Sequence, residues 1–226
     1  MQNICIMGDS IARGVIFDVD KKRYRFSKNS FANLLKGKAF AQVKNLGKFG
    51  ATIKNGLTIF EKFDESLSNY DYTVIEFGGN DCDYDWKSVS KNPSFDHQCN
   101  VMPDLFEKEY ERMIQAVIQS GSTPILMTLP PIHSERFLDW VSKGLNKEQI
   151  LRFLKADVNN IDRWHEQYNQ IIKSLASKHK IGLCDIHNEF SSGDLCKLLC
   201  IDGIHPNEDG HKLIADNLEH FLNKPS

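Results

Sequence analysis

Four short, glycine-containing motifs hold a serine, an asparagine and an acid–histidine pair, the residue types that nucleophilic catalysis combines. A serine oxygen becomes a good nucleophile when a histidine accepts its proton, and the oxyanion that forms on attack needs N–H donors nearby. The motifs are Gly8-Asp9-Ser10, Gly50-Ala51-Thr52, Gly78-Gly79-Asn80-Asp81 and Asp202-Gly203-Ile204-His205-Pro206-Asn207. They can act together only if the fold places them side by side.

Ser10 in the first motif follows the apolar run Asn3–Met7 and precedes a segment that is typical of a helix start. A serine at a strand-to-helix junction lies near the positive end of the helix dipole, which favours a nucleophilic oxygen and a developing oxyanion. Taken alone, the motif is more often a helix N-cap made by Asp9 or Ser10. The nucleophile hypothesis therefore depends on the other three motifs.

The second and third motifs contain candidate hydrogen-bond donors. Gly47 and Gly50 lack side chains, so either could bring a backbone N–H close to a substrate, although the segment alone is only a turn. Asn80 follows the apolar run Tyr72–Phe77 and two glycines, so its amide is predicted to lie at the sheet edge and to point into a crevice. A turn made by Asn80 and Asp81 explains the same residues equally well.

Asp202 and His205 form a candidate acid–base pair in the fourth motif. An acid three residues before a histidine, bent through Gly203, can accept from one ring nitrogen and leave the other free for a serine. Asp185, at the end of the last apolar run, is an alternative acid. Residue types alone do not decide which of the two acids pairs with His205.

Alternating apolar runs and helical patterns predict the scaffold that carries these motifs. Five near-continuous apolar runs are typical of central strands in a buried parallel sheet: Asn3–Met7, Gln42–Leu46, Tyr72–Phe77, Pro124–Thr128 and Ile181–Ile186. Amphipathic helical patterns span Leu105–Gln119, Ile161–His179 and Gly210–Leu222. Because strand–helix–strand crossovers are right-handed, helices should cover both faces of the sheet. The predicted fold class is α/β.

Length, composition and charge predict one globular domain and exclude several classes of protein. The chain has 226 residues, of which 41% are hydrophobic and 26% charged, and this excludes a disordered or collagen-like chain. No apolar stretch approaches the roughly 18 residues of a membrane span, and no secretion signal is recognisable, so a cytoplasmic location without membrane binding is expected. The net charge of -2 argues against nucleic acid as a partner, and the oligomeric state stays open.

A metal site is the weakest of the candidate sites. Cys196 and Cys200, with His187 and His205 nearby, have residue types that bind zinc, but no second cysteine pair stands at ligand spacing. We therefore expect neither a metal nor an organic cofactor.

In order and spacing, the four motifs resemble those of the SGNH hydrolase superfamily, the GDSL-type esterases and lipases. They bracket residues 8–207 of the chain. One departure lies in the second motif, where Phe49 and Ala51 flank Gly50 in place of the polar and acidic residues common in the family, so Gly47 is an alternative donor. The resemblance implies a flavodoxin-like three-layer fold with five parallel strands in the order 2-1-3-4-5.

The resemblance also implies a role for each matching residue. Ser10 would be the nucleophile of an ester hydrolase and His205 the general base. Asp202, favoured over Asp185 by its spacing in the family motif, would orient His205. The oxyanion hole would consist of the Ser10 N–H, the Gly50 N–H and the Asn80 side chain.

Charged residues in two insertions suggest a small substrate site. The insertions are polar excursions at about residues 81–103 and 130–160. Their charges are Asp83, Asp85, Lys87 and Lys91 in the first and Glu135, Arg136, Asp139 and Lys143 in the second. Because a long acyl chain needs a continuous apolar groove, we predict acetyl to butyryl esters of small molecules or carbohydrates as substrates.

Several other residues are candidates for contact with the substrate. Asp9 stands beside Ser10, and His133 follows two prolines at the predicted mouth of the crevice. The aromatic residues of the insertions form either an acyl-binding wall or, as the better supported interpretation, a small core of their own; they are Trp86, Phe137, Trp140 and Phe153.

Three alternative functions fit parts of the sequence. A lysophospholipase or lipase-like enzyme and a sugar acyltransferase would use the same motifs, since only the acyl chain or the acceptor differs. A non-catalytic flavodoxin-like binding module is least favoured, because its loops would carry a G-x-G-x-x-G or P-loop pattern that this sequence lacks.

Overall fold

The computed structural model describes residues 1–223, apart from the side chains of residues 64 and 65. Within that range the strands are β1 (Gln2–Gly8), β2 (Val15–Asp18), β3 (Arg23–Phe26), β4 (Ala41–Asn45), β5 (Tyr72–Glu76), β6 (Thr123–Met127) and β7 (Gly182–Cys184). The helices are α1 (Ser10–Arg13), α2 (Phe31–Lys36), α3 (Ile53–Leu67), α4 (Trp86–Lys91), α5 (Pro103–Gln119), α6 (Ser134–Val141), α7 (Lys147–Phe153), α8 (Asn160–His179), α9 (Ile186–Ser191), α10 (Leu195–Leu198) and α11 (Glu208–Leu222).

Five of these strands form one parallel sheet with β1 near its centre. The spatial order is β4-β1-β5-β6-β7, which is the predicted order 2-1-3-4-5 when only the strands of this sheet are numbered. Ile4 of β1 lies opposite Val43 of β4 and Tyr72 of β5. The next strand of the sheet in sequence, β4, lies on one side of β1, and the one after it, β5, lies on the other side. At such a reversal of strand order, the carboxyl ends of the two adjacent strands, here β1 and β5, border the crevice where these sheets bind ligands.

Side-chain alternation along β1 divides the core into two layers. Ile4 and Ile6 pack with helices α2, α9 and α11 on one face, whereas Cys5 and Met7 pack with α3, α5 and α8 on the other. All four side chains are fully or almost fully buried. A parallel strand buried on both faces is apolar at every position, which is why these runs were recognisable in the sequence. The prediction of a three-layer α/β fold is confirmed.

The last strand is shorter than its apolar run. β7 ends at Cys184, although the run predicted a strand as far as Ile186. Asp185 accepts a hydrogen bond from the backbone N–H of Asn188 and so begins α9 directly after the strand. Helix capping by a short acidic side chain therefore overrides the strand preference of the apolar residue that follows.

The two insertions pack against each other above the carboxyl edge of the sheet. The first contains α4, and the second contains α6 and α7. Together with Ile161 of α8, their buried side chains form a third, smaller apolar cluster; the insertion residues in it are Trp86, Val89, Phe137, Leu138, Ile150 and Leu154.

An antiparallel hairpin, β2–β3, lies outside the main sheet and was not predicted. It begins after Gly14, which ends α1 with a positive φ of 80°. Its second strand is mostly exposed, so it lacks an apolar run, and yet it brings Tyr24 to the carboxyl edge of the sheet.

In residues 1–223, none of the helices combines the length and the apolar character that crossing a bilayer requires.

Candidate active site

Ser10, His205 and Asp202 form a continuous chain of hydrogen bonds. The Ser10 Oγ lies 2.9 Å from His205 Nε2, and His205 Nδ1 lies 2.7 Å from Asp202 Oδ2. Ser10 is the first residue of α1, directly after β1, while the two other residues come from the loop before α11. The structure thus joins residues that are 195 positions apart in the sequence.

Asp9, and not Ser10, caps helix α1. The Asp9 Oδ1 accepts from the backbone N–H of Ile11 at 2.8 Å, which leaves the Ser10 hydroxyl to contact His205. The capping explanation and the nucleophile hypothesis for this motif therefore apply to neighbouring residues and do not compete.

Asp202 is fully buried and is held by four donors. Its Oδ1 accepts from the backbone N–H groups of Ile204 and His205, each at 3.1 Å. Its Oδ2 accepts from the ring of His205 and from the Tyr24 hydroxyl at 3.1 Å. Burial alone would raise the pKa of the Asp202 carboxyl, but the hydrogen bonds that it accepts hold the pKa below its ordinary value.

The ionised acid fixes which nitrogen of His205 carries a proton. A carboxylate can only accept, so His205 Nδ1 donates to Asp202, and Nε2 of the neutral ring is free to accept from the Ser10 hydroxyl. This is the polarity that general-base activation of a serine requires.

Tyr24 is a contact residue that sequence reasoning missed. Besides its hydrogen bond to Asp202, its ring packs 5.1 Å from the ring of His205. Burial and the adjacent Asp202 charge raise its pKa, so the phenol remains a donor. Phe49 packs against both rings, with its centroid 5.7 Å from that of Tyr24 and 6.3 Å from that of His205. No local pattern in the hairpin indicates these contacts, because they depend on how β2–β3 folds over the loop before α11.

Asn80, Gly50 and Ser10 border the same cavity. The Asn80 Nδ2 donates to Asp9 Oδ2 at 2.9 Å and to the backbone oxygen of Ala51 at 3.2 Å. These two acceptors fix the orientation of the amide, with its nitrogen facing Asp9 and Ala51. Gly50 has a positive φ of 71° and open space where a Cβ would be. Gly47, the alternative donor, gives its N–H to Asn45 Oδ1.

Two buried carboxyl groups lie behind this donor set. Glu76 Oε2 accepts, at long distances of 3.4 and 3.3 Å, from the backbone N–H groups of Asp9 and Ala12. Burial, and then the charge of Asp9, raise the pKa of Glu76 well above its ordinary value, which favours the neutral form of its carboxyl group. Burial raises the pKa of Asp9 to about 6. Gly8 permits this packing, because a Cβ there would lie 2.6 Å from the backbone oxygen of Glu76.

Asp9 borders the cavity, as expected of a residue that contacts substrate, but its two oxygens are already engaged. One accepts from Ile11 and the other from Asn80. Its observed role is to orient the Asn80 amide.

His133 does not lie where the sequence suggested. Its Nδ1 accepts from the backbone N–H of Arg136 and so caps α6, while its Nε2 faces the Cys196 thiol at 3.3 Å. Both ring nitrogens are thus engaged outside the crevice, and His133 is not among the described residues that line the cavity. The expectation that His133 contacts substrate is corrected accordingly.

Asp185, Cys196 and Cys200 make contacts outside the chain of hydrogen bonds at Ser10. Asp185 caps α9, accepts from the Thr128 hydroxyl at 3.0 Å and pairs with Lys173 at 3.3 Å. The Cys196 thiol contacts His133, whereas the Cys200 thiol accepts from the backbone N–H of Phe17. The two thiols therefore have separate surroundings.

The cavity beside Ser10 has a volume of about 250 Å³ and a largely aromatic wall. Its aromatic residues are Tyr24, Phe49, Tyr84, Trp86, Phe137, Trp140 and Trp164. The premise that charges repeatedly interrupt the apolar surface of the insertions is wrong. Of the eight charged residues named above, Asp83 lines the cavity. Six of the others are exposed, and Arg136 donates to the backbone oxygens of Cys196 and Leu199. Trp86 and Phe137 belong both to the wall and to the small core of the insertions.

A five-stranded parallel sheet with helices around it is also the fold of SGNH hydrolases of known structure. A model of the GDSL-like lipase/acylhydrolase family matches residues 6–213. The chain belongs to that family and is a hydrolase that acts on ester bonds.

Solved structures of similar proteins share the fold over nearly the whole chain. A lipase/acylhydrolase from Enterococcus faecalis is 20% identical with a TM-score of 0.68, covering 100% of this chain and 99% of the other. A catalytic variant of an acetylxylan esterase from Geobacillus stearothermophilus is 16% identical with a TM-score of 0.67, covering 99% and 95%. An α/β hydrolase from the metagenome of Lake Arreo, Spain, is 20% identical with a TM-score of 0.67, covering 99% and 97%. No curated protein matches the chain.

The first prediction concerns the Tyr24 hydroxyl. Tyr24→Phe removes one of the four donors to a buried carboxylate, so we expect kcat/KM on a simple ester to fall about tenfold and the free energy of unfolding to fall by about 1.5–3 kcal/mol. Tyr110→Phe is the matched control, because its buried hydroxyl donates to the backbone oxygen of Ile75 at 3.0 Å, away from Ser10. It should lose stability without losing activity. Equal activities of the two variants would contradict the role given to Tyr24.

The second prediction concerns Asp81, which caps α3 by accepting from the backbone N–H of Ile53 at 3.0 Å. Burial raises its pKa to about 7. A carboxyl whose pKa is higher in the folded state favours folding at low pH, and this contribution is lost as the pH rises through the folded-state pKa. Between about pH 4 and about pH 8, wild type should therefore lose roughly 2–4 kcal/mol more unfolding free energy than Asp81→Asn, whose amide still caps the helix.

Urea denaturation of both proteins across that pH range tests the prediction. Groups common to wild type and Asp81→Asn cancel in the comparison. Parallel pH profiles would mean that Asp81 is ionised in the folded protein throughout.

Proposed function

We propose that the chain is a serine esterase that cleaves short-chain carboxylic esters through an acyl-serine intermediate. The observation that carries the proposal is the hydrogen-bonded chain from Asp202 through His205 to Ser10, which opens on a cavity bordered by Asn80 and Gly50. In this proposal Ser10 is the nucleophile, His205 the general base, and Asp202 the group that orients His205.

The reaction begins with attack of the Ser10 oxygen on the ester carbonyl while His205 Nε2 takes the hydroxyl proton. The bond to the alcohol oxygen then breaks, and His205 returns the proton to the departing alcohol. Water, activated by the same nitrogen, next attacks the acyl-serine. The products are a carboxylic acid, an alcohol and free Ser10, and His205 is again neutral.

The tetrahedral oxyanion is stabilised by the Asn80 amide together with the N–H groups of Gly50 and Ser10. One such donor typically lowers the barrier by about 3–4 kcal/mol. In the free enzyme both amide hydrogens of Asn80 already have acceptors, Asp9 at 2.9 Å and the backbone oxygen of Ala51 at 3.2 Å. The contact with Ala51 is the longer, so the oxyanion competes for that hydrogen, while Asp9 keeps the amide in place.

The size of the cavity supports a short acyl group. Its volume of about 250 Å³ lies below the roughly 300–1,000 Å³ of most small-molecule sites. The wall is apolar enough to receive a hydrocarbon chain, so the limit is set by space and not by charges. One of the similar solved structures is an acetylxylan esterase, which agrees with acetyl as an acyl group.

The third prediction tests the nucleophile and its partners. Ser10→Ala should remain folded and lose at least about 10³-fold in kcat, and a fluorophosphonate should label Ser10 in wild type but leave Ser10→Ala unlabelled. Because residues that act as a unit are not additive, Asp202→Ala combined with His205→Ala should be scarcely slower than His205→Ala alone. Asp185→Ala is the control and should keep its activity. A severe loss in that control with little loss in Asp202→Ala would reassign the acid.

The fourth prediction concerns acyl length. The kcat/KM for p-nitrophenyl esters should be highest for acyl groups of two to four carbons and should fall for longer chains, because a longer chain would extend beyond the cavity and gain no further burial. Esters with chains of up to twelve carbons provide the series. A value that climbs steadily to ten carbons would instead indicate a lipase-like enzyme.

A further inference from the structure

The wall of the cavity combines aromatic faces with a negative charge. We call the rings contributed by the insertions and α8 the aromatic wall; they are Tyr84, Trp86, Phe137, Trp140 and Trp164. The centroids of Tyr84 and Trp164 are 5.1 Å apart, and Trp86 lies 5.9 Å from both Tyr84 and Phe137. The wall contains all 3 tryptophans of the chain.

Asp83 lies within this aromatic wall. Its Oδ1 accepts from the Trp86 indole N–H at 2.8 Å. Among the described residues, no Lys or Arg forms an ion pair with it. Burial raises the pKa of the Asp83 carboxyl, and the Trp86 hydrogen bond acts against that rise. A carboxylate in an apolar wall without a cationic partner is unfavourable, and a bound cation would relieve it.

The rest of the cavity adds no positive charge to balance Asp83. In the described part of the chain its lining includes a second acid, Asp9, and neither lysine nor arginine. His165 borders the cavity too, but burial lowers its pKa to about 3, so its ring is neutral. An anionic substrate would therefore be repelled, and a neutral apolar group would leave Asp83 without compensation.

The faces of these rings are suited to an ammonium group. A cation over an aromatic face is attracted by the ring quadrupole, most strongly when water is excluded. Trp140 already makes one such contact, since the Lys143 Nζ lies 3.5 Å from its ring centroid. The cavity offers further aromatic faces together with a carboxylate that has no cation of its own.

We propose that the aromatic wall and Asp83 bind an alkylammonium group, so that the substrates are esters of small amino alcohols. This inference rests on the proposed function and deepens it. The charge belongs to the alcohol part, because the proposed acyl group is a short hydrocarbon chain that carries no charge. After hydrolysis the cationic alcohol leaves with the proton returned by His205.

A pair of substrates of equal shape tests the proposal. Acetylcholine and 3,3-dimethylbutyl acetate differ only in the charged nitrogen that replaces a quaternary carbon. We expect wild-type kcat/KM to be at least about tenfold higher for acetylcholine. Because the charged ester is intrinsically somewhat more reactive, the decisive quantity is how this ratio changes between variants.

Asp83→Asn should reduce the ratio at least about fivefold, because the amide removes the charge and keeps the shape. Asp85→Asn is the matched control. It makes the same change two residues away, where the exposed side chain caps α4 by accepting from the backbone N–H of Ser88, and its ratio should equal that of wild type. An unchanged ratio in Asp83→Asn, or an equal fall in both variants, would overturn the proposal.

A binding measurement does not depend on catalysis or on the folding of the Asp83 variant. In Ser10→Ala, choline and 3,3-dimethylbutan-1-ol are titrated while tryptophan fluorescence is recorded, since every tryptophan lies in the aromatic wall. Choline should give a saturable change with a Kd at least about tenfold lower than that of the neutral alcohol. Equal affinities, or tighter binding of the neutral alcohol, would overturn the cation site.

The two proposals fail in different ways. Hydrolysis that depends on Ser10 but proceeds faster on dimethylbutyl acetate or an acetylated sugar than on acetylcholine would overturn the cation site and leave the esterase. Saturable choline binding without Ser10-dependent hydrolysis of any ester would overturn the esterase and support the cation site.

Discussion

The buried carboxylate of Asp202 is the constraint on which the functional edge of this molecule depends. A fully buried charge is tolerated only when its hydrogen-bonding capacity is met. Its donors come from the loop before α11 and from Tyr24 on the β2–β3 hairpin. The hairpin and the loop therefore act together to stabilise Asp202 as an anion, and the ionised Asp202 gives His205 the protonation pattern that Ser10 requires.

A second set of buried carboxyls organises the opposite side of the cavity. Glu76 ends β5, and its proton allows the Asp9 carboxylate to lie beside it without the repulsion of two charges. Asp9 in turn begins α1 and orients the Asn80 amide. The carboxyl ends of β1 and β5 are thus connected through side chains as well as through the sheet, and Ser10 lies between the two carboxyl systems.

Much of this arrangement could be predicted from the sequence because its signals are local. Buried parallel strands are apolar at every position, and the four motifs lie at strand or helix ends. Tyr24 could not be predicted, since its contact depends on a mostly exposed hairpin folding over a distant loop. The orientation of the charged insertion residues could not be predicted either, because α4 and α6 are only about two turns long, too short for periodicity to assign a face. The predicted position of His133 at the cavity was wrong because its ring caps helix α6 instead.

The aromatic wall has one more consequence. Trp86 and Phe137 are at once lining residues of the cavity and members of the small apolar cluster that joins the two insertions. A smaller side chain at either position would widen the cavity and at the same time leave a void in the cluster. Ligand preference and cohesion of the insertions therefore vary together, so descendants of this sequence would acquire new preferences through compensating pairs of substitutions more readily than through single ones.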